Sequence, residues 1–150
     1  MKPKILSWNV RGLNDLGKYL HVKNLLRNWK ADIICLQGTK LKFIDRSIVR
    51  SLWGCLHMGW VYLSSKRALG SILLLWDKRV VNLVEEYVGQ HLVACSFKNV
   101  DDGYKWSLAG VYSPNVDNNR RFLWEEITGL CSWWDGPWCI GSDFNHLLSM

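Results

Sequence analysis

Four short segments of this chain gather oxygen- and amide-bearing side chains beside glycine or proline. They are Ser7-Trp8-Asn9-Val10-Arg11-Gly12-Leu13-Asn14, Leu36-Gln37-Gly38-Thr39-Lys40, Val111-Tyr112-Ser113-Pro114-Asn115 and Ile140-Gly141-Ser142-Asp143-Phe144-Asn145. Each follows or closes an apolar run that reads as a strand, which is where α/β proteins place their sites. Singly, each also reads as a turn, because Asn, Asp, Gly and Pro serve turns for conformational reasons alone. Other chemistries find less support. The five cysteines (35, 55, 95, 131 and 139) include no CxxC and no nearby histidine pair, which argues against zinc. Their apolar neighbours make them small buried hydrophobes, and their odd number fits no closed disulfide framework, so no disulfide partner is expected. His21 and His57 read as surface or packing residues, and neither His91 nor His146 is given a catalytic role.

In order and spacing the four segments, with Gly70-Ser71-Ile72-Leu73-Leu74-Leu75-Trp76, resemble the endonuclease/exonuclease/phosphatase superfamily. The resemblance is strongest to the endonuclease domain of plant LINE-type retrotransposons, which carries WNVRGL, LQETK, GGILLLW, YSPN and GGDFN in that order. It implies a DNase I-like, two-sheet α/β sandwich that hydrolyses phosphodiesters with a bound magnesium ion, the ion neutralising charge on the phosphate. Magnesium is a hard cation that takes oxygen ligands, commonly one or two carboxylates. By the same resemblance, Asn9 and Asp143 hold the metal, and Asn9 and Asn115 also contact the phosphate with Tyr112. Asp143 and Asn145, two residues apart and so on one strand face, orient and activate the attacking water. Asn9, Gly38, Tyr112, Asn115 and Asp143 should converge at one end of the strands.

The departures from that pattern are as informative as the matches. Gly38 stands where the family has its metal-binding glutamate. Two double glycines have become Gly-Ser, at Ser71 and Ser142, and serine at 142 is expected to strain a turn built for glycine. The family's later motif with an Asp-His pair is not reached within this sequence, and His146 lies too near Asn145 to replace it. The resulting expectation is a truncated, degenerate retrotransposon-type nuclease domain without catalysis, its C-terminal strands missing. Two alternatives stand beside it: residual metal-dependent nuclease activity through Asn9 and Asp143, and a non-catalytic nucleic-acid-binding module. The second draws on Arg11, Lys40, Arg120, Arg121 and surface tryptophans for weak, salt-dependent binding of DNA or another nucleic acid.

Positioning these segments takes strands and helices that the hydrophobic pattern supplies. Strands are expected at Lys4–Trp8, Asp32–Leu36, Val61–Leu63, Ser71–Trp76, Val80–Glu86 and Trp138–Ile140. A hairpin pairs His91–Phe97 with Lys105–Val111 through Asp101-Asp102-Gly103. Two amphipathic helices are expected. The first, about Leu16–Trp29, aligns Tyr19, Val22, Leu26 and Trp29. The second starts near Asn118 or Asn119 and aligns Leu123, Ile127, Leu130 and Trp134. No element is expected after Trp138–Ile140. The order βαβ, several strands, then αβ defines an α/β layered protein with mixed sheets and flanking helices.

With 150 residues, 49% hydrophobic and 21% charged, the chain has the size and composition of one globular domain rather than a disordered segment. Its longest apolar run, Ile72–Trp76, is too short to cross a bilayer, and Met1–Asn9 is too short for a signal peptide. An intracellular protein of nucleus or cytoplasm, neither secreted nor membrane-bound, is expected. The net charge of +6 suits a polyanionic partner. Ten tryptophans demand an extensive core, and an incomplete one would expose several of them and leave an open sheet edge.

Overall fold

The computed structural model describes residues 2–64, 71–111, 117–142 and 147–149. These form nine strands and three helices, and each of two sheets is drawn from one continuous half of the described chain. The first sheet holds β1 (Ile5–Asn9), β2 (Ile33–Gln37), β3 (Met58–Leu63) and β4 (Ile72–Asp77), in the order β1-β2-β4-β3. The second holds β5 (Val81–Val88), β6 (Leu92–Asn99), β7 (Lys105–Val111), β8 (Trp138–Ser142) and β9 (Leu147–Ser149), in sequence order. Both sheets are mixed. β1 and β2 run parallel, as do β7 and β8, and every other pair is antiparallel. Parallel neighbours need a crossover long enough to bring the chain back, and a helix supplies each one. The two crossovers are α1 (Leu16–Trp29) and α3 (Asp117–Trp133).

Local sequence accounts for the helix boundaries. Asp15 caps α1, its Oδ1 accepting hydrogen bonds from the Gly17 and Lys18 amides, and Lys30 ends the helix in the left-handed conformation. One core packs α1 (Val22, Leu26) against the outer face of the first sheet, on Ile34, Leu36, Leu73 and Leu75. A second core, on the outer face of the second sheet, joins Leu123, Ile127, Leu130 and Trp134 to Ala94, Ala109 and Ile140. A third fills the space between the sheets with Ile33, Cys35, Ile72 and Leu74 against Val93, Cys95 and Leu108. Because β2 alternates faces, its odd-numbered residues enter the inter-sheet core and Ile34 and Leu36 the outer one. The result is a four-layer α/β sandwich with the helices outside.

Several sequence expectations need correction. A third helix, α2 (Arg46–Trp53), lies beside α1 and buries Val49, Leu52 and Trp53. Asp45 caps it by accepting from the Ile48 amide. An element does follow β8: Leu147–Ser149 pairs antiparallel with it. Ser142 is not in a turn but extends β8 opposite Val111. His57 lies in the turn before β3. Of the cysteines, Cys35 and Cys95 are buried, whereas Cys55, Cys131 and Cys139 are only partly so. Half of the tryptophans (53, 76, 106, 134 and 138) are buried, while Trp29, Trp124 and Trp133 are exposed. No described helix is long and apolar enough to cross a membrane.

Candidate functional site

Two adjacent strand ends build the described part of the site. In the parallel register Asn9 lies opposite Gln37, and the Val10 amide donates to the Gln37 carbonyl at 3.0 Å. The chain leaving β1 then stays bonded to the chain leaving β2. Gly12 donates to the Gly38 carbonyl at 2.7 Å, and Leu13 to that of Thr39 at 2.7 Å. These two turns use left-handed backbone at Arg11 (φ 54), Gly12 (φ 109), Gly38 (φ 68) and Lys40 (φ 58). For residues other than glycine such backbone costs about 1 kcal/mol or more each, so the surrounding hydrogen bonds must hold it.

Ser71 is one of the anchors. Its carbonyl accepts from the Gly38 amide at 2.7 Å, and its buried hydroxyl accepts from the Lys40 amide at 2.5 Å. The serine that departs from the double-glycine pattern therefore fastens the turn carrying Gly38, an assignment that sequence reading missed.

The second sheet delivers its own strand ends to the same place. A Cβ built on Gly110 would lie 2.6 Å from Cys35 Sγ, and one on Gly141 would lie 2.7 Å from Ser7 Oγ. Only glycine lets the two backbones approach this closely. Further back along the strands, Phe97 lies 5.4 Å from both Trp76 and Trp106, ring centroid to centroid, near the start of β2 and β7. The strands β1, β2, β7 and β8 thus run in one sense, and their C-terminal ends share one end of the sandwich. Val111 and Ser142, the residues before Tyr112 and Asp143, are at this end. Tyr112, Asn115, Asp143 and Asn145 themselves lie outside the described residues.

Asn9 and Gly38, the two expected site residues within the described set, are in contact. A Cβ at position 38 would sit 2.8 Å from Asn9 Oδ1, and that oxygen accepts from the Arg11 amide at 3.1 Å. Beneath them, fully buried Gln37 donates from Nε2 to Ser7 Oγ at 2.8 Å while its Oε1 has no hydrogen-bond partner among the described residues. Neutral amide oxygens are therefore what the described residues offer a cation here. No group of three histidine, cysteine, aspartate or glutamate side chains that could hold a metal occurs among the described residues. Magnesium sites commonly add one or two carboxylates to such oxygens, and Asp143, the carboxylate expected here, lies outside the described residues.

Cationic side chains surround the same turn. Lys18 Nζ donates to the Arg11 carbonyl at 2.8 Å, and a Cβ on Gly12 would touch Lys40 Cδ at 3.4 Å. A groove of about 540 Å3 between the end of β1 and the start of α1 is lined by Trp8, Asn9, Arg11, Lys18 and His21. The thiols behind the site are not nucleophiles. Burial pushes Cys35 up to about 12 and raises Cys95 as well, which keeps both protonated at neutral pH.

A sandwich of two mixed sheets flanked by helices, with strand ends from both sheets meeting at one end, is a DNase I-like α/β architecture. Residues 6–146 match the endonuclease/exonuclease/phosphatase family, and the chain belongs to it. It is 26% identical over 133 residues to an exodeoxyribonuclease of Bacillus subtilis, covering 82% of this chain and 49% of that enzyme. Among solved structures, it is similar to an endonuclease/exonuclease/phosphatase family protein from Bacteroides thetaiotaomicron. That match has a TM-score of 0.69 and 14% identity, and covers 96% of this chain and 65% of the other. It is also similar to D. rerio TDP2 complexed with single strand DNA product, with a TM-score of 0.67 and 16% identity, covering 96% and 61% of the two chains. The chain therefore spans about half the length of the curated relative it matches and under two thirds of these solved ones.

Proposed function

We propose that this chain is a single phosphodiesterase-fold domain of LINE-type retrotransposon descent that no longer hydrolyses its substrate. Position 38 carries this reading. It adjoins Asn9, where the family pattern puts a metal-binding glutamate, yet it is a glycine with left-handed backbone and no side chain. The motif residues assigned to it are Asn9 and Asn115 for phosphate, with Asp143, Asn145 and Tyr112 as remnants of the hydrolytic set. Asn9 and Asp143 are the vestige of the metal site, for which magnesium is the family expectation. The retrotransposon descent rests on WNVRGL and YSPN, which are intact in this sequence. DNA is the assigned polymer class, in keeping with the exodeoxyribonuclease relative and the TDP2 complex with single strand DNA product.

Nicking of supercoiled plasmid in magnesium or manganese tests the reading, with Asp143→Ala as the matched control. The expected result is cleavage at the level of that control. Robust nicking by the unmodified chain, abolished by Asp143→Ala, would overturn it.

A further inference from the structure

A buried indole N–H needs an acceptor, since leaving it without one forfeits the hydrogen bond it made to water. Three buried tryptophans meet this requirement. Trp106 donates to Asn99 at 2.8 Å, Trp134 to Glu85 at 2.6 Å and Trp138 to the Trp134 carbonyl at 3.2 Å. Trp76 does not: it is 3% exposed, and its Nε1 donates to no acceptor among the described residues. The polar atoms sealed away without a partner are on Gln37 and Glu126, so this N–H is not sealed in but opens on the space that Trp76 lines.

That space is a slot of about 580 Å3 in the side of the sandwich, between β3, the outer strand of the first sheet, and β5, the outer strand of the second. Gly59 shapes it. A Cβ there would lie 2.5 Å from Trp76 Nε1, so any other residue would displace the ring and its N–H. Lys78 and Glu86 supply charge of both signs. Lys78 follows β4 and stands beside the start of β3, its amide donating to the His57 carbonyl at 2.7 Å. Glu86 projects from β5 on the same face as its cross-strand neighbour Cys95, toward the first sheet. Both line the slot, both are exposed, and neither is in an ion pair among the described residues. The slot thus combines a separated ammonium and carboxylate with an unused N–H.

A ligand of single charge meets repulsion here from one of the two groups, whereas a ligand carrying both charges is attracted by each. A carboxylate suits Lys78 and the indole N–H, an ammonium suits Glu86, and the Asn82 amide on the same wall serves either. Leu83 offers apolar surface to a short side chain, and the volume lies within the range of small-molecule sites. We propose that the slot between β3 and β5 binds a small zwitterion of the α-amino-acid type. The slot shares no residue with the turns at Asn9 and Gly38, so it stands whether or not the chain hydrolyses a phosphodiester.

The test is titration by saturation-transfer NMR with the full chain and leucine as the probe. It is repeated with N-acetyl-leucine, which has lost the ammonium, and with leucinamide, which has lost the carboxylate. Leucine should bind, and each derivative should bind about tenfold more weakly, since each forgoes a charge-assisted hydrogen bond. Glu86→Gln should weaken leucine by about tenfold but not N-acetyl-leucine, and Lys78→Met should weaken leucine but not leucinamide. Trp76→Phe keeps a ring against Phe97 and removes the N–H, so it should weaken leucine and N-acetyl-leucine alike. Glu125→Gln, at an exposed position on α3, is the control for charge alone. Melting curves establish which variants are folded, and Glu86→Gln, which alters an exposed side chain, carries the test if Trp76→Phe does not fold.

No saturable binding of leucine up to its solubility would overturn the site. Leucinamide binding as tightly as leucine would make the slot a cation site, and N-acetyl-leucine binding as tightly would make it an anion site; either result overturns the zwitterion. Equal effects of Glu86→Gln and Glu125→Gln would overturn the slot, since charge at a distance would then explain the affinity.

Discussion

The two ends of the sandwich are built on opposite principles. At one end, Trp76, Phe97 and Trp106 fill the space between the sheets, and the Trp106 indole donates to the buried Asn99 at 2.8 Å. Asp77 closes β4 there with a bidentate pair to Arg79, whose guanidinium holds the carboxyl below its usual range. At the other end the sheets meet over Gly110 and Gly141, with Cys35, Ser7 and Gln37 as the small or polar filling. The sandwich is accordingly a wedge, thick where rings pack and thin where glycines let the backbones approach. The thick end is packed with rings, whereas the thin one holds the turns at Arg11, Gly12, Gly38 and Lys40 and the Gln37 amide oxygen, which is buried without a hydrogen-bond partner among the described residues. The division shows how the fold can keep its core while the residues of the site change.

The largest effect should come from the thick end. Phe97→Ala removes a ring touching two tryptophans at a position with no solvent exposure, and should cost about 3–5 kcal/mol in denaturant unfolding. A loss below about 1 kcal/mol would mean that the rings do not set the spacing of the sheets. Gly110→Ala probes the thin end by addition. Its new methyl would meet Cys35 Sγ at 2.6 Å and Ile72 Cγ2 at 3.0 Å, so the sheets must separate, at a cost of about 1–3 kcal/mol. If this variant melts like the parent chain, the wedge is not held closed by glycine.

The smallest change in stability, and the sharpest for chemistry, concerns position 38. Gly38→Glu and Gly38→Gln should each lose about 1 kcal/mol, because both place a side chain on left-handed backbone 2.8 Å from Asn9 Oδ1. Only the glutamate variant should gain magnesium or manganese binding by calorimetry, since glutamine adds bulk without charge. Equal gains in both variants would show that rigidity, not the carboxylate, is what the site lacks.

Much of the fold was legible where the pattern is long and periodic. The bounds of α1 follow from Tyr19, Val22 and Leu26, and Leu123, Ile127, Leu130 and Trp134 all enter one core as their spacing implied. The hairpin between β6 and β7 follows from alternation around Asp101-Asp102-Gly103. Shorter elements escaped notice. The helix α2 has eight residues, and its signals were Asp45 before Arg46 and the pairs Ile48-Val49 and Leu52-Trp53 four apart. The three-residue β9 is defined by its partner β8 rather than by any pattern of its own. At the site, residue types could be read locally but their meeting could not. Asn9 and Gly38 touch because β1 and β2 are parallel in one particular register, and Ser71 joins them from a third strand. The groove along Trp8 and His21 needed the packing of α1 against β1, which no single segment encodes.

The contiguity of each sheet in sequence gives the chain an order of assembly as it leaves the ribosome. Everything in the first sheet and its outer core is synthesised by Asp77, before any strand of the second sheet exists. This half can pair its four strands and cover one face with α1 and α2 while synthesis continues. Its other face, with Ile33, Cys35, Ile72, Leu74 and Trp76, stays bare until β6 and β7 emerge. At about 5–20 residues per second, the 34 residues from Lys78 to Val111 expose that apolar face for roughly 2–7 seconds. During that interval the nascent half is a template for wrong partners, and it is the span in which a holding chaperone has most to cover.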